Sequence, residues 1–372
     1  MILHLLHSDN KTGHQFATYV IEHFSSPEMC SEFAIVANSD SKSREGFPCQ
    51  ELIHFVDPAN QNAIQDLVDS LNRYSGIVLH GAFYPWCETI LASVPRNVTV
   101  AWMFWGGELY DRDMLFLAPI TKSLTKLHSF VKRQKSVANW HLPIESFRKI
   151  DYCLTGEKEE YEYAKKYLHA DRLQLVWYTY YSIEDTVGNL LDKYSSGDNV
   201  WICNSASVEN NVFDLLARFL LLRYRKHLRG RTVIMPLSYG PQWVRNALVR
   251  IGPKVFRTGF KPLLEFLPRP EYNKMMLDCS TMILPHYRPA AQGNILTALW
   301  LGMRVYLSEK SMSYAFFKRI GVSIYSFESD FVKYGCSRLS QEIVERNRQV
   351  LRVWYGKEHV RKACYDVVAA LQ

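Results

Sequence analysis

The stretch from residue 282 to 309 contains the side chains whose types and spacing could do chemistry. It reads as an apolar strand, a polar loop, an apolar helix and a second apolar strand. The loop and helix start carry Arg288, Gln292, Gly293 and Asn294. Three features of this loop favour the binding of an anion. The arginine offers a guanidinium fork, the glycine lets the backbone approach a ligand closely, and the first N–H groups of the helix are free to donate. The segment therefore predicts a phosphate-binding loop.

Glu309 follows the second of these strands. Open parallel sheets bind their ligands at the carboxyl ends of the strands, and a carboxylate there could accept both hydroxyls of a ribose. Together with the polar loop, Glu309 indicates a nucleotide diphosphate held by its phosphates and its sugar. An ordinary βαβ unit with a polar loop explains the same residues without a ligand, and the segment alone leaves both interpretations open.

Four other side chains in the second half of the chain are candidates for substrate binding. Asn204 and Ser205 follow the apolar run VWIC, where small polar side chains can donate to a phosphate or cap the next helix. Tyr239 follows the run TVIMP and could stack on a nucleobase. Glu265, in KPLLEFLPRPEY, precedes a predicted helix and is a further candidate.

The first half of the chain carries three candidates for acid–base chemistry. Asp9 ends the run HSD after the first predicted strand, where it could act as a general base or cap the next helix. His80, in HGAF, occupies the same kind of position, although a lone histidine is more often structural. Glu108 lies in WMFWGGELY, whose aromatic faces and carboxylate suit a sugar ring, while packing explains the tryptophans almost as well.

Several classes of enzyme lack their signature in this sequence. No P-loop, zinc-ligand spacing, HExxH or GxSxG is present. A metalloenzyme or a hydrolase triad is therefore disfavoured, and we expect neither a metal nor a cofactor.

Short apolar runs alternate with helical stretches along the whole chain, which predicts parallel sheets with helices on both faces. In the first half, the predicted strands are residues 2–6, 33–37, 77–79, 98–102, 151–154 and 174–178, with a helix over 62–74. In the second half, they are residues 200–203, 232–235, 255–257, 282–284, 305–307 and 323–325, before a helical region over 339–371.

A polar segment at 192–198, DKYSSGD, separates the two alternations. We therefore predict an N-terminal domain over 1–195 and a C-terminal domain over 196–372, whose last helix packs back on the first domain. Two Rossmann-like parallel-sheet domains facing a cleft make the α/β architecture called GT-B. Sugar-nucleotide transferases and epimerases both use this architecture, so it does not fix the chemistry.

The composition of the chain limits the cellular compartments and the binding partners that we expect for the protein. The 372 residues exceed one typical core, and the eight cysteines are scattered without CxxC pairs, as in a reduced cytosolic protein. The start MILHLLHSDN reads as a strand and not as a signal peptide. No apolar run reaches the roughly 18 residues that span a bilayer. We expect a soluble protein, or one attached only to a membrane surface.

The net charge of +7 is concentrated in two clusters. Residues 121–149 carry seven basic and one acidic side chain, and residues 218–231 carry six basic and no acidic ones, so the rest of the chain has a net charge of −5. The first cluster suits an anionic membrane or a polyanionic acceptor. A solvated helix face is the alternative, and the favoured interpretation of the second cluster is one amphipathic helix of a Rossmann unit. No nucleic-acid-reading motif accompanies either cluster, so we expect no nucleic-acid partner.

Taken in order, these motifs resemble glycosyltransferase family 56. The resemblance runs through nearly the whole chain and is carried by HGAF at 80–83, WGGELY at 105–110, Asn204-Ser205, Asn210, the turn at 236–239, Tyr272, Arg288, Gly293 and Glu309. The family moves 4-acetamido-4,6-dideoxygalactose (Fuc4NAc) from its dTDP-linked form to a polyprenyl-diphosphate-linked disaccharide, lipid II, in enterobacterial common antigen assembly.

The resemblance implies a division of labour between the domains. The first domain would take the lipid-linked acceptor at the cytoplasmic face of the bacterial inner membrane, as a peripheral protein. The second would hold the dTDP-sugar, surrounded by Tyr239, Arg288, Gln292, Gly293, Asn294 and Glu309. Arg288 and the helix start would stabilise the departing diphosphate without a metal. Asp9 or Glu108 would remove the acceptor proton if the reaction inverts the anomeric carbon.

Two other functions stay open at this point. A sugar-nucleotide epimerase of the same architecture would convert the donor without a lipid acceptor. A non-catalytic membrane-surface protein of polysaccharide assembly would use a basic cluster and no cleft chemistry. Binding to vesicles separates the epimerase from the other two, and donor turnover separates the non-catalytic protein.

Overall fold

A computed structural model describes residues 1–8, 11–37, 46–110, 112, 114–131 and 140–372, without the side chains of residues 11–13 and 258. The chain divides into two compact units. Unit 1 comprises Met1–Arg112, Ala138–Tyr181 and Lys357–Gln372. Unit 2 comprises Asp113–Val137 and Ser182–Gly356.

Unit 1 contains a seven-stranded parallel sheet and its flanking helices. Its strands are β1 (Ile2–His7), β2 (Ser31–Val36), β3 (Ile53–Val56), β4 (Gly76–His80), β5 (Thr99–Met103), β6 (Tyr152–Thr155) and β7 (Gln174–Trp177). Its helices are α1 (Lys11–Phe24), α2 (Gln61–Ser70), α3 (Pro85–Ser93), α4 (Gly107–Tyr110), α6 (Lys158–Tyr167) and α16 (Lys357–Leu371).

The strand order of this sheet is β3-β2-β1-β4-β5-β6-β7. Every residue of β1 and β4 is buried, as expected for central strands covered by helices on both faces. The chain first builds the sheet outward from β1 through β2 to β3 and then continues on the other side with β4. The loops after β1 and β4 therefore flank a topological switch point, where open α/β sheets place ligands.

Unit 2 contains a six-stranded parallel sheet. Its strands are β8 (Asn199–Ile202), β9 (Val233–Pro236), β10 (Phe260–Leu263), β11 (Cys279–Leu284), β12 (Arg304–Leu307) and β13 (Tyr325–Ser326). Its helices are α5 (Pro119–Val131), α7 (Ile183–Val187), α8 (Val212–Phe219), α9 (Leu222–Arg225), α10 (Gln242–Phe256), α11 (Arg269–Met276), α12 (Gln292–Trp300), α13 (Met312–Arg319), α14 (Phe331–Tyr334) and α15 (Gln341–Tyr355).

The second sheet has the order β10-β9-β8-β11-β12-β13, so its switch point lies between β8 and β11. Both α/β units confirm the predicted doubly wound parallel sheets. In the described part of the chain, no helix combines the length and the apolar character that crossing a bilayer requires.

One predicted strand is wrong. Residues 255–257 lie at the end of α10 and in the turn after it, and the edge strand next to β9 is β10. Val244, Leu248 and Val255 are buried on one face of α10 at helical spacing, so the apolar pair at 255 and 256 completes a helical stripe. Strand β3 was not among the predicted strands, because it is a four-residue, partly exposed edge strand.

The units divide the chain differently from the predicted boundary at residue 195. The segment after Ser182 is held within unit 2, where Asn273 Nδ2 donates to Thr186 O at 2.8 Å and Trp300 Nε1 donates to Leu191 O at 2.9 Å. Helix α16 belongs to unit 1.

Candidate functional site

The loops after β8 and β9 of unit 2 are joined by hydrogen bonds. Asn204 Nδ2 donates to Tyr239 Oη at 2.9 Å, and the backbone N–H of Ala206 donates to Tyr239 O at 2.8 Å. Gly240 has a φ of +112°, and a Cβ there would lie 2.6 Å from the Ala206 carbonyl carbon. Only glycine lets the two loops approach each other this closely. The loops hold the Tyr239 ring in place, and 51% of the residue is exposed.

Ser205 lies beneath this surface. It is 1% exposed, and Asn210 Nδ2 donates to both its carbonyl oxygen and its Oγ at 3.0 Å. Ser205 Oγ in turn accepts from Ser207 N at 3.3 Å. The buried hydroxyl therefore shapes the loop that carries Asn204, which is the more exposed of the two.

Asn294 lies in the first turn of α12, the helix that follows β11. Its Nδ2 donates to Tyr272 Oη at 2.9 Å. The Tyr272 ring packs edge-on against Trp201 of β8, with ring centroids 4.9 Å apart. Burial raises the pKa of Tyr272 well above its ordinary value, and Tyr239 acts in the same direction. Tyr272 therefore stays a neutral hydroxyl that links Asn294 to the centre of the sheet.

The start of α12 presents backbone donors. The N–H groups of Asn294 and Ile295 donate to Ala291 O, so Gln292 and Gly293 supply the N–H groups that precede the helical ladder. Gln292 Nε2 donates to Tyr355 Oη at 3.0 Å. This bond directs the Gln292 amide toward α15, whereas a Cβ at Gly293 would meet only Thr186, at 3.7 Å.

Glu309 sits just after β12, with its carboxylate oriented by two serines of the neighbouring strand end. Ser326 Oγ and Ser329 Oγ donate to Glu309 Oε1 at 2.6 and 2.5 Å. These bonds lower the pKa of Glu309, which stays ionised and exposed. Glu328 accepts from Glu309 N at 3.0 Å and fixes the backbone. Both serines donate to Oε1, and the described residues make no hydrogen bond to Oε2 of this exposed side chain.

Arg288 is half-buried in the loop after β11, close to His286. His286 is completely buried, and burial, reinforced by the charge of Arg288, lowers its pKa to about 4. The His286 imidazole is therefore uncharged at neutral pH. Glu265 is exposed after the edge strand β10, and the described residues give it no hydrogen bond or ion pair to the other candidates.

In unit 1, Glu108 joins the loops after β4 and β5. Its Oε1 accepts from Ala82 N and Trp102 Nε1, each at 3.2 Å, and from Trp105 N at 3.5 Å. Glu108 is 1% exposed, and no hydrogen-bond partner for Oε2 lies within the described part of the chain. Burial raises the pKa of this carboxyl to about 7 despite the three donors.

His80 belongs to a buried chain of polar side chains. Trp105 Nε1 donates to Tyr180 Oη at 2.7 Å, which lies 3.1 Å from His80 Nδ1, and His80 Nε2 lies 3.0 Å from His4 Nδ1. Burial lowers the pKa of His4 to about 3 and that of His80 well below its ordinary value, so both rings are neutral. Both ring nitrogens of His80 are therefore occupied within the protein.

His7, at the end of β1, lies at the same edge of the sheet as the polar side chains around His80. His7 Nδ1 lies 3.2 Å from Tyr84 Oη, and the His7 ring packs against Trp105 with centroids 5.4 Å apart. Asp9, the other predicted base, lies outside the described residues. Among the residues that are described, no group of three or more His, Cys, Asp and Glu side chains is placed to hold a metal ion.

Solved structures share this arrangement of two parallel sheets. Sucrose-phosphate synthase from Thermosynechococcus elongatus aligns with a TM-score of 0.62 at 9% identity, over 100% of this chain and 98% of its own. The lipopolysaccharide outer core galactosyltransferase WaaB aligns with a TM-score of 0.61 at 11% identity, over 99% of each chain. The chain has the GT-B fold.

A third GT-B structure, HepE from Anabaena in complex with UDP and glucose, aligns with a TM-score of 0.60 at 9% identity, over 99% of each chain. Neither a family model nor a curated protein sequence matches the chain. At these identities the likeness establishes the fold and leaves donor, acceptor and activity to be argued from the site.

The structure brings some of the predicted residues of the second GT-B unit together. Asn204 contacts Tyr239, and Asn294 contacts Tyr272, which the sequence indicated only through the family resemblance. Sequence reasoning also missed the two serines that orient Glu309. Ser326 lies on a strand of two residues, β13, and Ser329 follows it; no local pattern signals the pairing of this strand with β12.

Proposed function

We propose that the protein is a glycosyltransferase of family 56 that moves a 4-acetamido-4,6-dideoxyhexose from a dTDP-sugar to a polyprenyl-diphosphate-linked oligosaccharide. The GT-B fold supports sugar transfer in general, because WaaB is a galactosyltransferase and HepE was solved with UDP and glucose. The dTDP donor and the lipid-linked acceptor rest on the family resemblance of the motifs. The pathway would be cell-envelope polysaccharide synthesis, of the O-antigen or enterobacterial common antigen type.

The observation that carries this proposal is the orientation of Glu309. An exposed, ionised carboxylate at a strand's carboxyl end, with one oxygen held by Ser326 and Ser329, leaves the other oxygen for a sugar hydroxyl. Hydrogen bonds to an ionised acceptor are stronger than neutral ones. We assign Glu309 to the ribose of the donor nucleotide.

The remaining donor contacts follow from the same edge of the sheet. The Tyr239 ring would stack on the thymine, while Asn204 would border the phosphates on the loop that the buried Ser205 shapes. Arg288 and the N–H groups of Gln292 and Gly293 would stabilise the charge that develops on the departing diphosphate.

Asp9 or Glu108 would accept the proton of the acceptor hydroxyl as it attacks the anomeric carbon. A pKa near 7 and an oxygen with no hydrogen-bond partner among the described residues suit Glu108 to this role. Its 1% exposure is the structural objection, since the hydroxyl would have to pass the loops that cover it. His80 is assigned a positioning role, because its ring nitrogens hold Tyr180 and His4.

The lipid-linked acceptor places the reaction at a membrane. We propose that the protein acts as a peripheral protein on the cytoplasmic face of the bacterial inner membrane, with the acceptor bound by unit 1. The aromatic edge formed by His7, Tyr84 and Trp105 supports this assignment, because sugar rings stack on aromatic faces.

Transfer of radiolabelled sugar tests the proposal. Purified protein is incubated with dTDP-Fuc4NAc and a short-chain polyprenyl-diphosphate disaccharide, and the lipid product is separated by chromatography. Glu309→Gln should raise the KM for the donor roughly tenfold or more, because a charge-assisted hydrogen bond is lost. Glu342→Gln, an exposed carboxylate on α15, is the matched control. Conversion of the donor without acceptor would instead identify an epimerase.

A further inference from the structure

Three consecutive leucines stand out of unit 2 between α8 and α9. Leu220, Leu221 and Leu222 are 62%, 48% and 59% exposed. Single exposed apolar side chains are ordinary on protein surfaces, whereas adjacent ones that protrude together mark an interaction site. We call Leu220–Leu222 the leucine turn.

Buried aromatic residues fix the leucine turn on both sides. Phe219 and Tyr224 are 0% and 2% exposed, and their rings meet edge to face with centroids 6.3 Å apart. Arg218 Nη1 donates to Tyr224 Oη at 3.1 Å, and Leu221 N donates to Arg218 O at 3.0 Å. The leucines are therefore presented by a rigid turn whose neighbours on each side are anchored in the core.

Basic residues flank the leucine turn in the sequence. The segment from residue 218 to 231 carries six Lys and Arg side chains and no acidic one. Of these, Arg223, Lys226 and Arg229 are exposed. Exposed apolar side chains followed directly by exposed cations complement a surface that is anionic outside and apolar beneath, which is the chemistry of an anionic lipid bilayer.

We propose that the leucine turn docks unit 2 on an anionic membrane. The leucine side chains enter the boundary between headgroups and acyl chains, while Arg223, Lys226 and Arg229 contact the lipid phosphates. This inference deepens the proposed function, on which it rests for the source of the lipid-linked acceptor, by naming the surface that holds the enzyme at the membrane.

Vesicle flotation tests the docking surface. The full-length protein is mixed with vesicles of phosphatidylcholine alone or with 30% phosphatidylglycerol, roughly the anionic content at which each cation contributes to binding. We expect flotation with the anionic vesicles only. Leu221→Ser/Leu222→Ser should weaken the partition coefficient at least tenfold, and Arg223→Glu/Lys226→Glu should do the same. Val353→Ser, at an isolated exposed valine of α15, is the control and should bind as the wild type does.

Two measurements keep the outcomes separate. Sugar transfer to a water-soluble, short-chain acceptor reports the proposed function, and we expect the leucine variant to retain it. Active wild-type protein that does not float, or flotation that the leucine and charge variants leave unchanged, would overturn the docking surface alone. Flotation without transfer activity would overturn the proposed function alone. A concentration-dependent dimer that the leucine variant abolishes, without vesicle binding, would assign the surface to a second copy of the chain.

Discussion

Replacing Glu108 with Gln makes the energetic consequence of its burial measurable. The folded-state pKa of about 7 exceeds the ordinary glutamate value of 4.5, so between these pH values the native state holds a proton that the unfolded state releases. Wild-type stability therefore falls as pH rises through this window, and the full cost is present above pH 7. The difference of about 2.5 pH units corresponds to roughly 3 kcal/mol at 1.36 kcal/mol per unit.

Glutamine keeps an oxygen for the three donors to Oε1 and carries no charge. The stability of Glu108→Gln relative to the wild type should therefore increase by roughly 2 to 3 kcal/mol between pH 5 and pH 8. Urea denaturation of both proteins, followed by tryptophan fluorescence, measures this difference. Burial of the neutral His4 and His80 also lowers the stability of the protein at acid pH. This effect is equal in the wild type and in Glu108→Gln, so it cancels in the stability difference between them.

Glu162→Gln, at an exposed position of α6, supplies the baseline for changing a glutamate to glutamine. A stability difference between wild type and Glu108→Gln that stays constant within about 0.5 kcal/mol from pH 5 to 8 would refute the argument. It would mean that the Glu108 carboxyl is as well solvated in the folded protein as in the unfolded chain.

Three smaller changes test other contacts. Gly240→Ala should lower the free energy of unfolding by about 1–3 kcal/mol, because a Cβ would lie 2.6 Å from the Ala206 backbone at a φ of +112°; unchanged urea denaturation would contradict this packing. Asp214→Ala should lower the free energy of unfolding by about 1–2 kcal/mol, because the Asp214 carboxylate accepts hydrogen bonds from the first N–H groups of α5. It should also reduce the protection of these amides from hydrogen exchange. Tyr180→Phe should cost about 1–3 kcal/mol in the same denaturation assay, because the partly buried Trp105 indole and the buried His80 imidazole lose their hydrogen-bond partner. Unchanged stability would show that this chain of polar side chains does not stabilise the fold.

The alternation of apolar runs and helical stretches was enough to predict both parallel sheets. Strands such as β4 and β11 are buried along their whole length, and an unbroken apolar run is the pattern that such strands leave in a sequence. Edge strands bury less and leave weaker patterns. For that reason β3 was missed and β10 was predicted too early, within the apolar stripe of α10.

The candidate site was predictable where strand ends determine it and unpredictable where side chains meet across the sheet. Asn204 and Tyr239 follow neighbouring strands, so their proximity follows from the topology. The bonds from Ser326 and Ser329 to Glu309 depend on a two-residue strand pairing with β12. A local pattern does not encode such a contact between distant segments.

The buried chain around His80 shows the same limit. His4 and His80 are separated by 76 positions in sequence and meet only because β1 and β4 are neighbours in the sheet. The sequence presents His80 as a strand-end histidine that could face a substrate. The two hydrogen bonds of His80 show that its ring faces the core. They can be recognised only when the pairing of the strands is known.

Isothermal titration of the purified protein with dTDP, UDP and GDP, with and without Mg²⁺, tests the central claim most directly. We predict that dTDP binds most tightly, that Mg²⁺ leaves the affinity unchanged, and that Glu309→Ala and Arg288→Ala each weaken it at least tenfold while Glu342→Ala does not. Absence of binding by all three nucleotides, or dTDP binding that neither Glu309→Ala nor Arg288→Ala weakens, would contradict a nucleotide-sugar site at the strand ends of unit 2.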